Sequence, residues 1–231
     1  QYFVTPEQTI DWDGLTDTIF NAIRFLDNVI EVNEFPTPRL KEINLLTRRI
    51  GLGIMGWADM LALLGIAYDS DEALHLGSKL MTFITDNAWA YSQKLAREKG
   101  TFPLFNKSIL DQKAPTRNSC VTSIAPTGSI SIITGCAAGG IEPFYALAYH
   151  KNILDGDRLE EVNPYLLGFL NKENIKLSEN EWKSINETGS IQNINRIPRY
   201  IKNIFKVANE ISIERHIQML TTFQQHVTNS V

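Results

Sequence analysis

Residues 118–136 read Asn-Ser-Cys-Val-Thr-Ser-Ile-Ala-Pro-Thr-Gly-Ser-Ile-Ser-Ile-Ile-Thr-Gly-Cys. An apolar run from Cys120 to Ala125 predicts a short strand, and it stops at Pro126, which cannot donate to a sheet ladder. A hydroxyl-rich turn follows, Thr127-Gly128-Ser129-Ile130-Ser131, and a new apolar run begins at Ile132. Strand, tight turn and new element in that order present backbone N–H groups to an anion. Gly128 lets a phosphate approach the backbone closely, and Thr127, Ser129 and Ser131 add hydroxyl donors beside it. No Lys or Arg lies within the turn, so amide dipoles and hydroxyls would do the holding. The same residues also suit an ordinary surface turn, and both readings stand at this point.

The rest of the composition narrows the setting. With 231 residues, 43% hydrophobic and 21% charged, the chain can build a sizeable core. Its net charge of −4 and dispersed basic residues argue against a nucleic-acid surface. No apolar run approaches the roughly 18 residues of a membrane span, so none is expected. No signal peptide is visible at the start, and the native N-terminus is expected to lie upstream of Gln1. Two cysteines, Cys120 and Cys136, make no disulfide framework and fit a reducing cytoplasm.

Helical periodicity predicts a first helix over Trp12–Val32, with Leu15, Ile19, Ala22, Ile23, Leu26, Val29 and Ile30 inward and Asp11 or Asp13 as N-cap. A second is expected over Pro38–Arg48, with Leu40, Ile43 and Leu46 on its inner face. Ile50–Met55 carries glycines in an apolar run and reads as a buried strand approached closely by other backbone. Trp57–Leu64 is predicted helical, ending at Gly65. The longest helix is expected over Asp71–Lys99, capped by Ser70. A strand is expected at Phe144–Tyr149, and helices near 163–171, 179–187, 198–205 and 213–227. The polar stretch 171–195 reads as a surface excursion. Alternating strands and helices argue α/β with parallel pairing.

Other chemistry-bearing residues weigh less. Cys120 and Cys136 read as small buried residues, and neither is given a radical role. His75, His150, His216 and His226 are scattered without ligand spacing, so no metal site is expected. His150 is the one that could face a ligand. Glu142, in Gly-Ile-Glu-Pro, could bind a ligand or pin the loop, and Pro143 after it favours pinning. Arg48 and Arg49 could reach a phosphate or serve as a helix C-terminal charge pair. Gly51-Leu-Gly53 lacks the third glycine of a dinucleotide fingerprint.

The turn and its continuation, Gly135-Cys-Ala-Ala-Gly-Gly-Ile-Glu-Pro-Phe144, resemble the large subunit of ribonucleotide reductases, most closely the adenosylcobalamin-dependent class. Ala137 and Ala138 stand where that family usually has serines, and Gly139-Gly140 where one glycine is typical. Arg48-Arg-Ile-Gly-Leu-Gly-Ile-Met-Gly-Trp-Ala-Asp-Met60 is similar to a family barrel strand and its following helix, and Phe25–Ile30 to the helix before it. Asn152–Gly156, Glu161–Pro164 and Phe223–Val231 are similar to downstream segments in the same order.

The resemblance implies an α/β fold, the C-terminal part of a ten-stranded α/β barrel, with 1–231 as an incomplete domain. It implies conversion of ribonucleotides to 2′-deoxyribonucleotides by thiyl-radical chemistry, with adenosylcobalamin as cofactor of the complete enzyme. Pro126, Thr127, Gly128, Ser129, Ile130 and Ser131 would bind the substrate phosphates. The family's radical-cysteine loop has no counterpart here, so no catalytic residue is assigned and the chain is expected to be inactive alone. The expected partners are a ribonucleotide, the N-terminal remainder of the reductase and a second copy in a homodimer. Two alternatives remain: the large subunit of an iron-dependent reductase, or a split or degenerate fragment acting as a binding module.

Overall fold

The computed structural model describes residues 1–152 and 158–231, with only the backbone described for residues 150–152 and 158–160. Most of the Asn152–Gly156 motif, and the side chain of His150, therefore lie outside the described residues. In chain order the elements are α1 (Trp12–Val32), α2 (Pro38–Thr47), α3 (Trp57–Leu64), α4 (Asp71–Lys99), α5 (Gly128–Ile133), β1 (Ala148–Asn152), β2 (Arg158–Val162), α6 (Pro164–Lys172), α7 (Glu179–Thr188), α8 (Arg199–Ile204) and α9 (Ile213–Gln224). Two compact units divide the chain: residues 1–9, 54–75 and 126–219 form one, and 10–53, 76–125 and 220–231 the other. No helix among the described residues is long and apolar enough to cross a membrane.

The unit containing α1 begins at its expected cap. The Asp11 carboxylate accepts from the Gly14 N–H at 2.9 Å, satisfying one of the free amides of the first turn. Leu15, Ile19, Ile23 and Ile30 are buried, as the periodicity requires, whereas Val29 and Phe25 face out. The buried column also contains Asp27, a carboxylate with 0% exposure. It is paired. Arg48 donates to Asp27 Oδ1 through Nε (3.0 Å) and Nη2 (2.9 Å), and Asn118 Nδ2 donates to the same oxygen at 3.0 Å. Arg48 Nη1 also reaches Glu31 at 2.6 Å, and Ser92 donates to Asn118 Oδ1 at 2.9 Å. A buried charge survives only with such partners.

This network explains a departure from expectation. Leu40 and Ile43 are 47% and 49% exposed, so they form no inner face of α2. The helix is anchored instead by Arg48, its C-cap residue in the left-handed region (φ 46°). That side chain is consumed by Asp27, which removes Arg48 as a phosphate ligand. Arg49 is exposed and donates to Asn229 Oδ1 at 2.9 Å.

The expected strands at 50–55 and 120–125 are reduced to a single parallel bridge, Leu52↔Thr122. Ile50 N–H donates to Cys120 O (3.2 Å) and Leu52 N–H to Val121 O (2.8 Å). One segment thus advances two residues while the other advances one, which breaks a ladder as a bulge does. The Val121 and Thr122 amides both turn to the Thr228 hydroxyl at 2.9 Å rather than to a backbone carbonyl. The close approach read from the glycines is present. A Cβ on Gly53 would collide with the Ser123 carbonyl oxygen, and one on Gly51 would lie 2.9 Å from Ser123 Cβ.

In the other unit, Trp57, Leu61, Phe144, Leu147, Leu166, Leu170, Ile185 and Phe205 are buried. Phe144 stacks on Phe205 with centroids 6.0 Å apart, and its backbone forms a parallel bridge with Val207. The strand expected at Phe144–Tyr149 begins later, at Ala148, because Leu147 N–H is taken by Gly189 O (2.8 Å). β1 then pairs antiparallel with β2, with Ala148 opposite Val162. The polar stretch 171–195 contains α7, opened by a Ser178–Glu181 capping box. Ile185, Ile191 and Ile194 are buried there, so a sparse apolar stripe seats the segment beneath its polar face.

Candidate functional site

The turn at 126–131 is shaped differently from the expectation of a loop that resumes order at Ile132. Thr127 sits in the left-handed region (φ 58°) and α5 starts at once, at Gly128. A non-glycine residue in that region is uncommon and needs external support. The first intrahelical bond runs from Ser131 N–H to Thr127 O at 2.9 Å. The Gly128, Ser129 and Ile130 amides ahead of it have no acceptor among the described residues, and all three residues are exposed. Nothing lies within 4 Å of a Cβ built on Gly128, so the space above the turn is open. Pro126 is exposed at its entrance.

The three hydroxyls have separated roles. Ser129 is exposed and unpaired among the described residues. Ser131 is 6% exposed and its hydroxyl donates back to Gly128 O at 3.2 Å. The Thr127 hydroxyl accepts from Gly140 N–H at 2.7 Å.

That last bond leads to a support that sequence reasoning missed. Residues 137–140, Ala-Ala-Gly-Gly, have no polar side chain of their own, so their amides need acceptors from elsewhere. Asp59, in the first turn of α3, supplies two. Its carboxylate accepts from Ala137 N–H (2.9 Å) and Ala138 N–H (3.1 Å). Gly140 O accepts from Trp57 N–H at 3.3 Å, and Tyr68 OH donates to Ile141 O at 2.7 Å. A Cβ on Gly139 would stand 3.0 Å from the Pro126 carbonyl oxygen, so the loop lies directly against the turn. Asp59 has 0% exposure, and burial pushes its carboxyl up to about 6, against the opposing effect of the Ala137 amide. Its sequence signal was an acid alone in the otherwise apolar octet Trp-Ala-Asp-Met-Leu-Ala-Leu-Leu.

The other candidates fall outside this arrangement. Glu142 pins the loop through its backbone, donating N–H to Gly139 O at 3.1 Å, and its exposed carboxylate makes no hydrogen bond among the described residues. Cys120 and Cys136 are half-buried rather than buried, and both are free thiols. Cys136 Sγ lies 3.4 Å from the Thr134 hydroxyl and borders a cleft of about 210 Å³ lined also by Ile132, Tyr149, Glu161 and Asn163. His216 bonds to Ala208 O at 2.9 Å, and His226 lies between the Ser78 and Thr82 hydroxyls at 2.8 and 3.0 Å.

The turn thus offers three first-turn amides and the Ser129 hydroxyl without acceptors among the described residues, and no Lys or Arg within residues 126–131. Comparison with known proteins gives that geometry a context. The model of the ribonucleotide reductase barrel domain matches residues 1–231. A vitamin B12-dependent ribonucleoside-diphosphate reductase of Thermoplasma acidophilum is 44% identical over 99% of this chain and 30% of its own length. One from Mycobacterium tuberculosis is 42% identical over 96% of this chain and 32% of its own. Among solved structures, the alpha subunit of the Actinobacillus ureae class Id ribonucleotide reductase superposes with a TM-score of 0.77 at 27% identity, covering 94% of this chain and 40% of that one. The chain thus spans about a third of the length of the curated relatives it matches. With the family model matched from first residue to last and the motifs in family order, the chain belongs to the ribonucleotide reductase barrel-domain family.

Proposed function

We propose that this chain is the phosphate-binding segment of a reductase that converts ribonucleoside diphosphates to 2′-deoxyribonucleotides in the cytoplasm. The observation that carries the reading is the turn itself. The Gly128, Ser129 and Ile130 amides are unpaired among the described residues, above open space, in a chain of the reductase barrel family. In this reading those amides and the Ser129 hydroxyl hold the terminal phosphate of the substrate. Binding energy from that remote group fixes the ribose for radical chemistry carried out by residues elsewhere in the enzyme. The diphosphate is favoured over the triphosphate by the names of the two B12-dependent relatives.

The same relatives support adenosylcobalamin as the cofactor of the complete enzyme, where it would supply the initiating radical. The donors of the turn are amides and hydroxyls, which suit a phosphate and not cobalt, so no part in holding the cofactor falls to them. The remainder of the reductase and a second copy are the proposed partners. A second reading, the alpha subunit of a reductase of another class, draws on the class Id structural match, at 27% against 44% identity.

Reduction of CDP to dCDP by the full-length polypeptide, with and without adenosylcobalamin, tests the proposal. Activity that requires the cofactor is expected. Cofactor-independent activity would move the protein to the second reading, and CDP binding without turnover would make it a binding module.

A further inference from the structure

We propose that Asp59 is a positioning residue for the substrate phosphate, acting through the 137–140 loop and the Thr127 hydroxyl to aim the Gly128–Ile130 amides. The inference rests on the phosphate-turn reading and adds to it a residue that never touches substrate. Each link is a direct contact in the structure. Asp59 accepts the Ala137 and Ala138 amides at 2.9 and 3.1 Å, which fixes the loop at its start. Gly140, two residues on, donates to the Thr127 hydroxyl at 2.7 Å and accepts from Trp57 N–H at 3.3 Å, which fixes its end. Between them Gly139 leaves only 3.0 Å between a would-be Cβ and Pro126 O, so the loop cannot shift without moving the turn. Thr127 is the residue that needs this support, because its left-handed backbone is unfavourable for a β-branched side chain.

A carboxylate is the suitable group at position 59. It offers acceptors only, and its two oxygens take the two adjacent amides one each, Oδ2 from Ala137 and Oδ1 from Ala138, whereas Asn would turn an NH2 donor toward one of those N–H groups. An ion with 0% exposure is costly unless such bonds hold it; among the described residues Asp59 forms no ion pair with a Lys or Arg side chain, and the one cation acting on it is the Gln1 amino group. The residue is therefore a poor choice for stability alone and a good one for orienting backbone.

The test uses the full-length reductase with CDP. Asp59→Asn and Thr127→Val should each raise KM for CDP about tenfold, the loss of roughly one hydrogen bond's worth of orientation. At saturating CDP, kcat should stay within about twofold of wild type, and Thr127→Ser should restore KM. Because both residues act through one loop, the double variant should be little worse than the poorer single one. If Asp59→Asn does not fold, Thr127→Val and its Ser rescue carry the test. Gly128→Val, made in parallel, separates the two claims. A raised KM in Gly128→Val with unchanged KM in the other two overturns the positioning role and leaves the phosphate turn standing. Unchanged KM in all three removes the phosphate turn itself. Full additivity in the double variant also overturns the inference, since independent effects cannot share one path.

Discussion

Ser129 and Ser131 look equivalent in the sequence, two hydroxyls in one turn, and the fold separates them. Ser129 is exposed while Ser131 turns its hydroxyl to Gly128 O. Ser129→Ala should therefore raise KM for CDP several-fold, about 1 kcal/mol, whereas Ser131→Ala should leave KM close to wild type. Steady-state kinetics of the two variants checks this. Asp59 carries a pH prediction. Its carboxyl is raised to about 6 by burial, against the opposing Ala137 amide and the charge of the Gln1 amino group, and Tyr165 also feels its charge. A raised carboxyl favours the native state most at low pH, and that contribution is lost as pH climbs from the unfolded value to about 6. Ionised Asp59 thus costs stability at neutral pH, on the order of 3 kcal/mol. The Asn variant should accordingly melt no lower than wild type by more than a few degrees. CDP affinity should fall below about pH 6 as the carboxylate protonates, and this acid limb should vanish in Asp59→Asn. Subtracting the two profiles cancels the titration of the substrate's own phosphate, which lies near pH 6. Identical profiles would rule out the assignment.

At the scale of elements, what was legible depended on whether the signal was local. The start of α1, the end of α3 and the whole span of α4 follow from Asp11, Gly65, Ser70 and apolar residues at helical spacing, and all lie where expected. The strands were less legible because their hydrogen bonds are decided elsewhere in the chain. Thr228, more than 100 residues away, takes the amides that a ladder at Val121–Thr122 would have used. β2 went unread because Arg158-Leu-Glu-Glu-Val162 carries three charges in five residues. Asp27 was hidden for another reason, since a charge in a buried column contradicts the apolar pattern until Arg48 and Asn118 are seen around it. Removing it leaves Arg48, 3% exposed, without its main partner. Asp27→Ala should cost about 3–5 kcal/mol of stability, read as a lowered urea midpoint in the full-length protein. A change below 1 kcal/mol would mean that water or Glu31 replaces the lost contact.

On the scale of the whole molecule, the family motifs made the fold class legible and pointed to the turn proposed to bind phosphate, and left that turn's supports unread. The turn at 126–131 could be singled out as a candidate because its residues are contiguous; Asp59 and Gly140 could not, because they meet it only in three dimensions. The surface also holds large apolar side chains open to solvent. Phe25 and Val32 of α1 are 67% and 78% exposed, and in the other unit Ile133 and Tyr145 are 82% and 88% exposed. Surfaces of this kind favour association. The isolated 231-residue chain is expected to self-associate at micromolar concentration in a sedimentation experiment, and a monodisperse monomer would contradict that expectation. The central claim is that the Gly128–Ile130 amides hold substrate phosphate, and it is tested most directly by equilibrium binding of CDP and of cytidine to the full-length enzyme and its Gly128→Val variant. The wild type should bind CDP far more tightly than cytidine, and the variant, folded as before, should lose most of that difference. A CDP preference that survives Gly128→Val would place the phosphate elsewhere.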